Sequence, residues 1–305
     1  MNNSDLNVVT GAFGYTGRYI TQKLLSDGRK VRTVTGHPDR ENPFGDQVKA
    51  YPLDFSDPKS LAENLSGATT LYNTYWVRFS RGGATFYTAV ENTKTLVNAA
   101  KQAGVQRVVH ISITNPSVES NLGYFKGKAL VEEAIIGSGL AYSIIRPTLV
   151  FGAEDVLINN IAWFLRKFPF FAVPGDGKYL VQPVHVEDVA EVAVNSAESS
   201  DNTIQDCVGP ETYTYGQLIR LIAVSIGAKT KIANLPPALT LFFSRLAGYL
   251  VRDVVLTRAE IDGLMAGLLV SDGPPNGRTS FSRWLEENCD TLGRRYVSEM
   301  DRHYR

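Results

Sequence analysis

Near its start the chain reads "VVTGAFGYTGRYI", with Gly11, Gly14 and Gly17 marking the junction between an apolar run and an amphipathic one. The run "LNVVT" is predicted as a strand, and "YTGRYITQKLLSDG" as a helix with Ile20, Leu24 and Leu25 on one face and Gly28 as its stop. A first glycine at a strand exit permits a sharp turn, and a second lets a ligand approach the backbone. A third lets the helix pack close to the strand, whose neighbouring helix N-terminus then offers N–H groups and a positive partial charge to a diphosphate. The spacing here is G-x-x-G-x-x-G rather than G-x-G-x-x-G, so the flanking strand and helix carry as much of the argument as the glycines.

The same alternation continues. "KVRTVTG", "VKAYPLDF", "TTLYNTYW", "RVVHISI" and "AYSIIRPTLVFG" read as strands, separated by the helical runs "DPKSLAENLSG", "YTAVENTKTLVNAAKQAG" and "KALVEEAIIGSG". Strand–helix repetition of this kind implies a doubly wound parallel sheet of the Rossmann type, with helices on both faces. After Phe151 the regularity breaks. "VLINNIAWFLRKFPFF" reads as one aromatic-rich helix and "VPGDGKYLVQPV" as a loop. "VEDVAEVAVNSAES" reads as a helix and "TIQDCVG" as a strand rejoining the sheet, with helical segments to the end. The expected division is a dinucleotide-binding domain of residues 1–150 plus 184–209, and a smaller, mostly helical region of residues 151–183 plus 210–305 for the substrate.

Composition narrows the function. Lys and Arg number 31 against 31 Asp and Glu, so the chain lacks the basic excess of a nucleic-acid binder. Cys207 and Cys289 are isolated and the four histidines scattered, which gives no metal-ligand spacing and suits a reducing, cytoplasmic setting, with a single disulfide as the alternative. The N-terminus lacks the pattern of a secretory signal. The apolar segment "PPALTLFFSRLAGYLVRDVVL" is broken by Arg245, Arg252 and Asp253, short of a membrane span.

The tip of the second strand should choose between cofactors. An acid about 20 residues beyond the glycine loop would hold the ribose hydroxyl of NAD. Here Thr35 and Gly36 occupy that place, with His37 and Arg40 close by and Arg18 beside the loop. These donors favour a 2′-phosphate, so NADP(H) is the expected cofactor and NAD(H) the alternative; Asp39, bending back, would weaken the preference.

In "GYFKGKALVEEAI", Tyr124 and Lys128 stand four residues apart and share a helix face. A phenol with a pKa of about 10 is a poor base at neutral pH; a neighbouring ammonium favours the phenolate and makes Tyr124 a candidate general acid/base. Gly127 inside that helix costs about 1 kcal/mol relative to alanine, which suggests that a cofactor or another backbone comes close there. The alternative is an incidental Tyr and Lys on an exposed face.

Gly11–Gly14–Gly17, Ser112 after "VVHI", Tyr124-x-x-x-Lys128 and "IIRPTLVFG" together resemble the short-chain dehydrogenase/reductase superfamily. The glycine spacing is similar to its extended branch. The short Ser112–Tyr124 gap and "RPTLVFG…PGDGKYLVQPVHVEDVA" look more like its atypical members, the NmrA-like proteins and relatives of the 39-kDa accessory subunit of respiratory complex I. The resemblance covers about residues 5 to 235.

It implies that Ser112 holds a substrate carbonyl or hydroxyl, Tyr124 moves the proton, Lys128 binds the nicotinamide ribose and tunes Tyr124, and Asn92 orders a relay water. Phe13, Tyr15, Thr16 and Arg18 would line the cofactor with the three glycines. Asp54 and Phe55 would meet the adenine, Tyr75 the middle of the cofactor, and Pro147 and Thr148 the nicotinamide. The implied activity is NADP(H)-dependent oxidoreduction or epimerisation at a hydroxyl or carbonyl carbon of a small molecule. The rival reading is non-catalytic: an accessory or sensing protein that holds NADP(H) within a larger complex.

One departure from the superfamily is the bulky, cationic segment "NTYWVRFSRGG" after the fourth strand, with Arg78 and Arg81, where a small alanine-rich turn is expected. It reads as a cover over the site or contact for an anionic substrate group, or as a solvated loop. His110 is expected to face the core, and His185 to be a packed or capping residue rather than a substrate contact. The aromatics of "WFLRKFPFF" are expected in the core or a cleft wall, with a partner or membrane-surface patch as the lesser reading. The charged C-terminal stretch from Arg278 reads as a solvated helix pair.

Overall fold

The computed structural model describes residues 5–300. In chain order β1 (Leu6–Thr10), α1 (Tyr15–Ser26), β2 (Lys30–Thr35), β3 (Val48–Pro52), α2 (Pro58–Leu65), β4 (Ala68–Asn73), α3 (Phe86–Gln102), β5 (Arg107–Ile111), α4 (Gly123–Ile136) and β6 (Ala141–Pro147) come first. Then follow β7 (Leu149–Phe151), α5 (Val156–Lys167), β8 (Phe170–Pro174), β9 (Leu180–Val181), β10 (Pro183–His185), α6 (Val186–Ser196) and β11 (Thr203–Cys207). The chain ends with β12 (Tyr213–Thr214), α7 (Tyr215–Ser225), β13 (Lys231–Leu235), α8 (Pro237–Val251), α9 (Arg258–Met265) and α10 (Phe281–Asn288).

Two compact units emerge. The first runs through Pro147 and takes back Val186–Cys207; the second holds Thr148–His185 and the chain from Val208. In the first, seven strands form one parallel sheet in the order β11-β6-β5-β4-β1-β2-β3. The order reverses between β1 and β4, which is the switch point of a Rossmann sheet and opens a crevice beyond the strand carboxyl ends. Val8, Leu71 and Val108 bury themselves against α2, α3 and α4, through Leu61, Leu96 and Val131 among others. Their neighbours Val9, Tyr72 and Val109 are also buried, and by strand alternation face the side where α1 packs on α6. Burial on both faces explains why these strands read as unbroken apolar runs.

Helix starts follow side-chain caps: Asp57 accepts from the Ser60 N–H at α2 and Thr85 from Thr88 at α3. Thr214 and Thr257 form capping boxes with Gln217 and Glu260.

The second unit corrects three expectations. The helix in "VLINNIAWFLRKFPFF" stops at Lys167, because Pro169 cannot continue it, and Phe170–Pro174 instead pairs in parallel with Lys231–Leu235. Strand therefore enters a region expected to be helical, and the segment expected to be a loop contributes β9 and β10. The C-terminal stretch from Arg278 is no solvated exterior over its described part, residues 301–305 lying outside the described ones: α10 buries Phe281, Trp284 and Leu285 in a core with Phe151, Ile161, Leu218 and Ile222. Phe164, Phe168, Phe170 and Phe171 line an apolar cleft of about 370 Å³ within this unit. Among the described residues no helix is long and apolar enough to cross a membrane.

Candidate cofactor site

The site is built first from the β1–α1 junction. Gly11 turns out of β1 with φ of 63°, and its carbonyl accepts the Gly14 N–H at 2.8 Å. A Cβ on Gly17 would lie 2.3 Å from that same carbonyl oxygen, so the helix start and the turn are as close as two backbones come. Gly14 is the N-cap of α1 and brings no side-chain cap; the first turn holds no acid. The first N–H groups of α1 therefore lack an intrahelical acceptor and present positive charge at the loop. That is an anion cradle, and it fits a diphosphate. Phe13, Tyr15, Thr16 and Arg18 stand half-buried around it.

At the β2 tip, Thr35 is buried and its hydroxyl accepts the His37 N–H at 3.2 Å. Gly36, His37, Asp39 and Arg40 are exposed, and the Arg40 N–H turns back to the His37 carbonyl at 3.2 Å. No carboxylate stands on the strand tip itself. Beyond β3, Asp54 folds onto Ser56, accepting from its N–H at 2.8 Å and its hydroxyl at 2.6 Å; these bonds hold its carboxyl below the usual range. Phe55 packs on Tyr75 with ring centroids 4.8 Å apart. Asn92 donates to the Tyr75 hydroxyl at 2.8 Å and steadies that ring. Pro147 closes β6, its carbonyl accepting from Thr114 at 3.0 Å. Thr148 begins the second unit and donates to the Gln182 carbonyl.

The Tyr124–Lys128 face of α4 departs most from expectation. Gly127 does leave room for a neighbour, but that neighbour is the indole of Trp76: a Cβ there would lie 2.7 Å from its Cη2. Gly123, one turn earlier, makes the same room for Phe86, and the two aromatic rings stack at 5.9 Å and 9°. Tyr124 meets both edge-on, at 5.7 and 5.9 Å. Lys128 lies beneath, its Nζ 4.7 Å from the Trp76 ring centroid and donating to the Ile111 carbonyl at 2.8 Å. The ammonium expected to meet a ribose is thus buried under an indole from the segment that replaces the superfamily's small turn.

Burial pulls Lys128 down to about 7, with the Glu132 carboxylate opposing the shift. Ser112 is engaged too: its hydroxyl donates to Glu132, which also receives Arg146 Nε at 3.1 Å and Nη2 at 2.5 Å. Sequence reasoning missed Trp76, Glu132 and Arg146. The available signal was Arg146 itself, a cation inside a central strand that requires a buried acid. His110 is core-facing as expected, beside Asn73 at 3.2 Å, and burial first, then the Lys128 charge, hold it neutral. His185 is buried against Phe151 and Trp284.

Two buried bases set a pH dependence. Lys128 binds its proton less readily folded than unfolded, so stability rises with pH from about 7 toward 10.5. His110 refuses a proton that the unfolded chain accepts below 6.5, so stability falls on acidification through that value. Urea unfolding should give a positive slope of stability against pH in both windows. Lys128→Met should flatten the alkaline one and only weaken the acidic one, since burial alone still disfavours the His110 proton; an unchanged alkaline slope in that variant would contradict the burial argument.

The model of the NAD(P)H-binding family matches residues 11–200. The chain is 26% identical over 283 residues to subunit 9 of the NADH dehydrogenase (ubiquinone) 1 alpha subcomplex, mitochondrial, of Arabidopsis thaliana, an alignment covering 87% of this chain and 70% of that protein. It is 26% identical to the photosystem II assembly factor Ycf39 of Guillardia theta over 98% of both chains. Among solved structures, the triphenylmethane reductase of Citrobacter sp. superposes with a TM-score of 0.79 at 19% identity, covering 93% of this chain and 99% of that one. Its complex with NADP(H) gives 0.76 at 18% identity, covering 92% and 99%.

Proposed function

We propose, from the premise that this chain belongs to the NAD(P)H-binding family, that it holds NADP(H) as a structural or redox-sensing ligand in the service of a protein assembly. The observation that carries the reading is the Trp76 indole lodged in the Gly123–Gly127 groove and over Lys128. The diphosphate would rest on the N–H groups at Gly14–Gly17, and a 2′-phosphate near Arg18, His37 and Arg40. Phe55 and Tyr75 would flank the rest. Two relatives support it by their names, a respiratory-complex subunit and an assembly factor. Two free thiols suit a reducing, cytoplasmic location.

A second reading has its own support. Tyr124 and Lys128 are retained, and the reductase likeness extends over almost the whole chain. With Trp76 withdrawn, Lys128 Nζ would be released toward a ribose and Tyr124 Oη would hold or give the proton at a substrate oxygen. Bound nicotinamide would supply hydride chemistry there. This makes the chain an NADP(H)-dependent oxidoreductase or epimerase.

The test is to follow NADPH absorbance with a panel of ketones, quinones and nucleotide-sugars. On the binding reading, NADPH copurifies, stabilises the fold by about 2.7 kcal/mol at a hundredfold excess over Kd, and is not consumed. Consumption that Tyr124→Phe abolishes while NADPH binding persists would establish the second reading instead.

A further inference from the structure

Helix α8, "PALTLFFSRLAGYLV", is apolar around nearly its whole circumference, a composition that belongs in a protein interior. Yet it buries only Thr240 and Gly248. Leu239, Phe242, Leu246 and Tyr249 recur at helical spacing and are exposed, Phe242 by 60% and Tyr249 by 83%. The adjoining flank, with Phe243, Ala247 and Leu250, walls the apolar cleft whose far side carries Leu157, Phe164 and Phe170. Helix flank and cleft mouth form a continuous apolar surface within the second unit.

Along the stretch of chain that carries this helix the charge has one sign. Residues 212–252 contain Arg220, Lys229, Lys231, Arg245 and Arg252 and no Asp or Glu. Arg245 projects from α8 and Arg252 caps its end, both exposed. Lys167 ends α5 beside Phe164 and Phe168, and Lys231 pairs in register with Phe170. None of these four has a carboxylate partner among the described residues. The nearest acid in sequence, Asp253, is buried and turned inward, accepting from the Tyr296 hydroxyl at 2.8 Å and from the Glu299 and Met300 N–H groups at 2.8 and 3.2 Å.

We infer that α8 and the cleft mouth dock this chain on the surface of an anionic lipid bilayer. Fifteen residues give a helix of roughly 22 Å, too short to cross a hydrocarbon core of about 30 Å, so the helix lies in the interface plane with its apolar side chains among the acyl chains. Lys167, Lys231, Arg245 and Arg252 meet the lipid phosphates, as aromatic and cationic groups do at such interfaces. A second copy is a poorer occupant, because a twofold contact would set this cationic rim against itself. The inference is independent of whether NADP(H) is consumed, since it rests on the second unit alone.

The experiment is co-sedimentation of the full chain with vesicles of phosphatidylcholine, with and without phosphatidylglycerol, alongside light scattering of the free protein. The chain should pellet with the mixed vesicles, and less so at high salt. Phe242→Glu with Leu246→Glu should abolish binding without lowering NADPH affinity or the melting temperature, since both residues are exposed. Arg245→Gln with Arg252→Gln should weaken it by roughly thirtyfold. Failure to pellet, equal binding to neutral vesicles, or a dimer that Phe242→Glu with Leu246→Glu converts to monomer would each overturn the inference.

Discussion

Gly17→Ala is expected to lower NADPH affinity by roughly a hundredfold, the equivalent of losing two hydrogen bonds to a charged group at about 1.5 kcal/mol each. The added Cβ would sit 2.3 Å from the Gly11 carbonyl oxygen and 2.8 Å from its carbon. Both are main-chain atoms, so relief comes only by prising α1 away from the β1 turn, and that moves the N–H groups meant for the diphosphate. Overpacking of this kind also destabilises by about 1–3 kcal/mol. Gly14→Ala should do less, its Cβ meeting the same oxygen at 3.2 Å, and Gly36→Ala should leave stability unchanged, with nothing within 4 Å. Fluorescence titration with NADPH and urea unfolding of the three variants check the order. Equal affinity for Gly17→Ala and Gly36→Ala would remove the loop from the binding site.

The second large effect concerns Glu132. Its carboxylate, 5% exposed, receives Arg146 through two hydrogen bonds and Ser112 through a third. Glu132→Ala leaves a guanidinium without its counter-charge, which in buried sites costs about 3–5 kcal/mol. Arg146 is 28% exposed and recovers some hydration, so the expected loss is at the lower bound, about 3 kcal/mol. Glu132→Leu with Arg146→Met should recover most of it, because two apolar groups need no partner. A double variant no more stable than Glu132→Ala alone would show that the pair is not the unit that matters.

Much of this was legible from sequence because the governing physics is local. The alternation of apolar strands and amphipathic helices announces the doubly wound sheet, and Gly11, Gly14 and Gly17 announce the backbone contact at α1. Pro169 carries the end of α5 within two residues, although the run of phenylalanines around it suggests continued helix. What sequence hides is partnership at a distance. Trp76 reaches Gly127 across 51 positions, and nothing near Gly127 tells an indole from a cofactor as the reason for a missing Cβ. Ser112 reads as a substrate contact until Glu132 and Arg146 are placed beside it. Lys128 keeps its helical spacing from Tyr124, yet its amine turns to Ile111, a choice fixed by burial rather than by period.

The account rests on an anion cradle at the start of α1 with no acid at the tip of β2, and titration calorimetry of the intact chain with NADPH and with NADH tests it most directly. The expected result is one site per chain, with NADPH bound at least about tenfold more tightly, the worth of one charge-assisted contact to the 2′-phosphate. Tighter binding of NADH, or no binding of either, would contradict it.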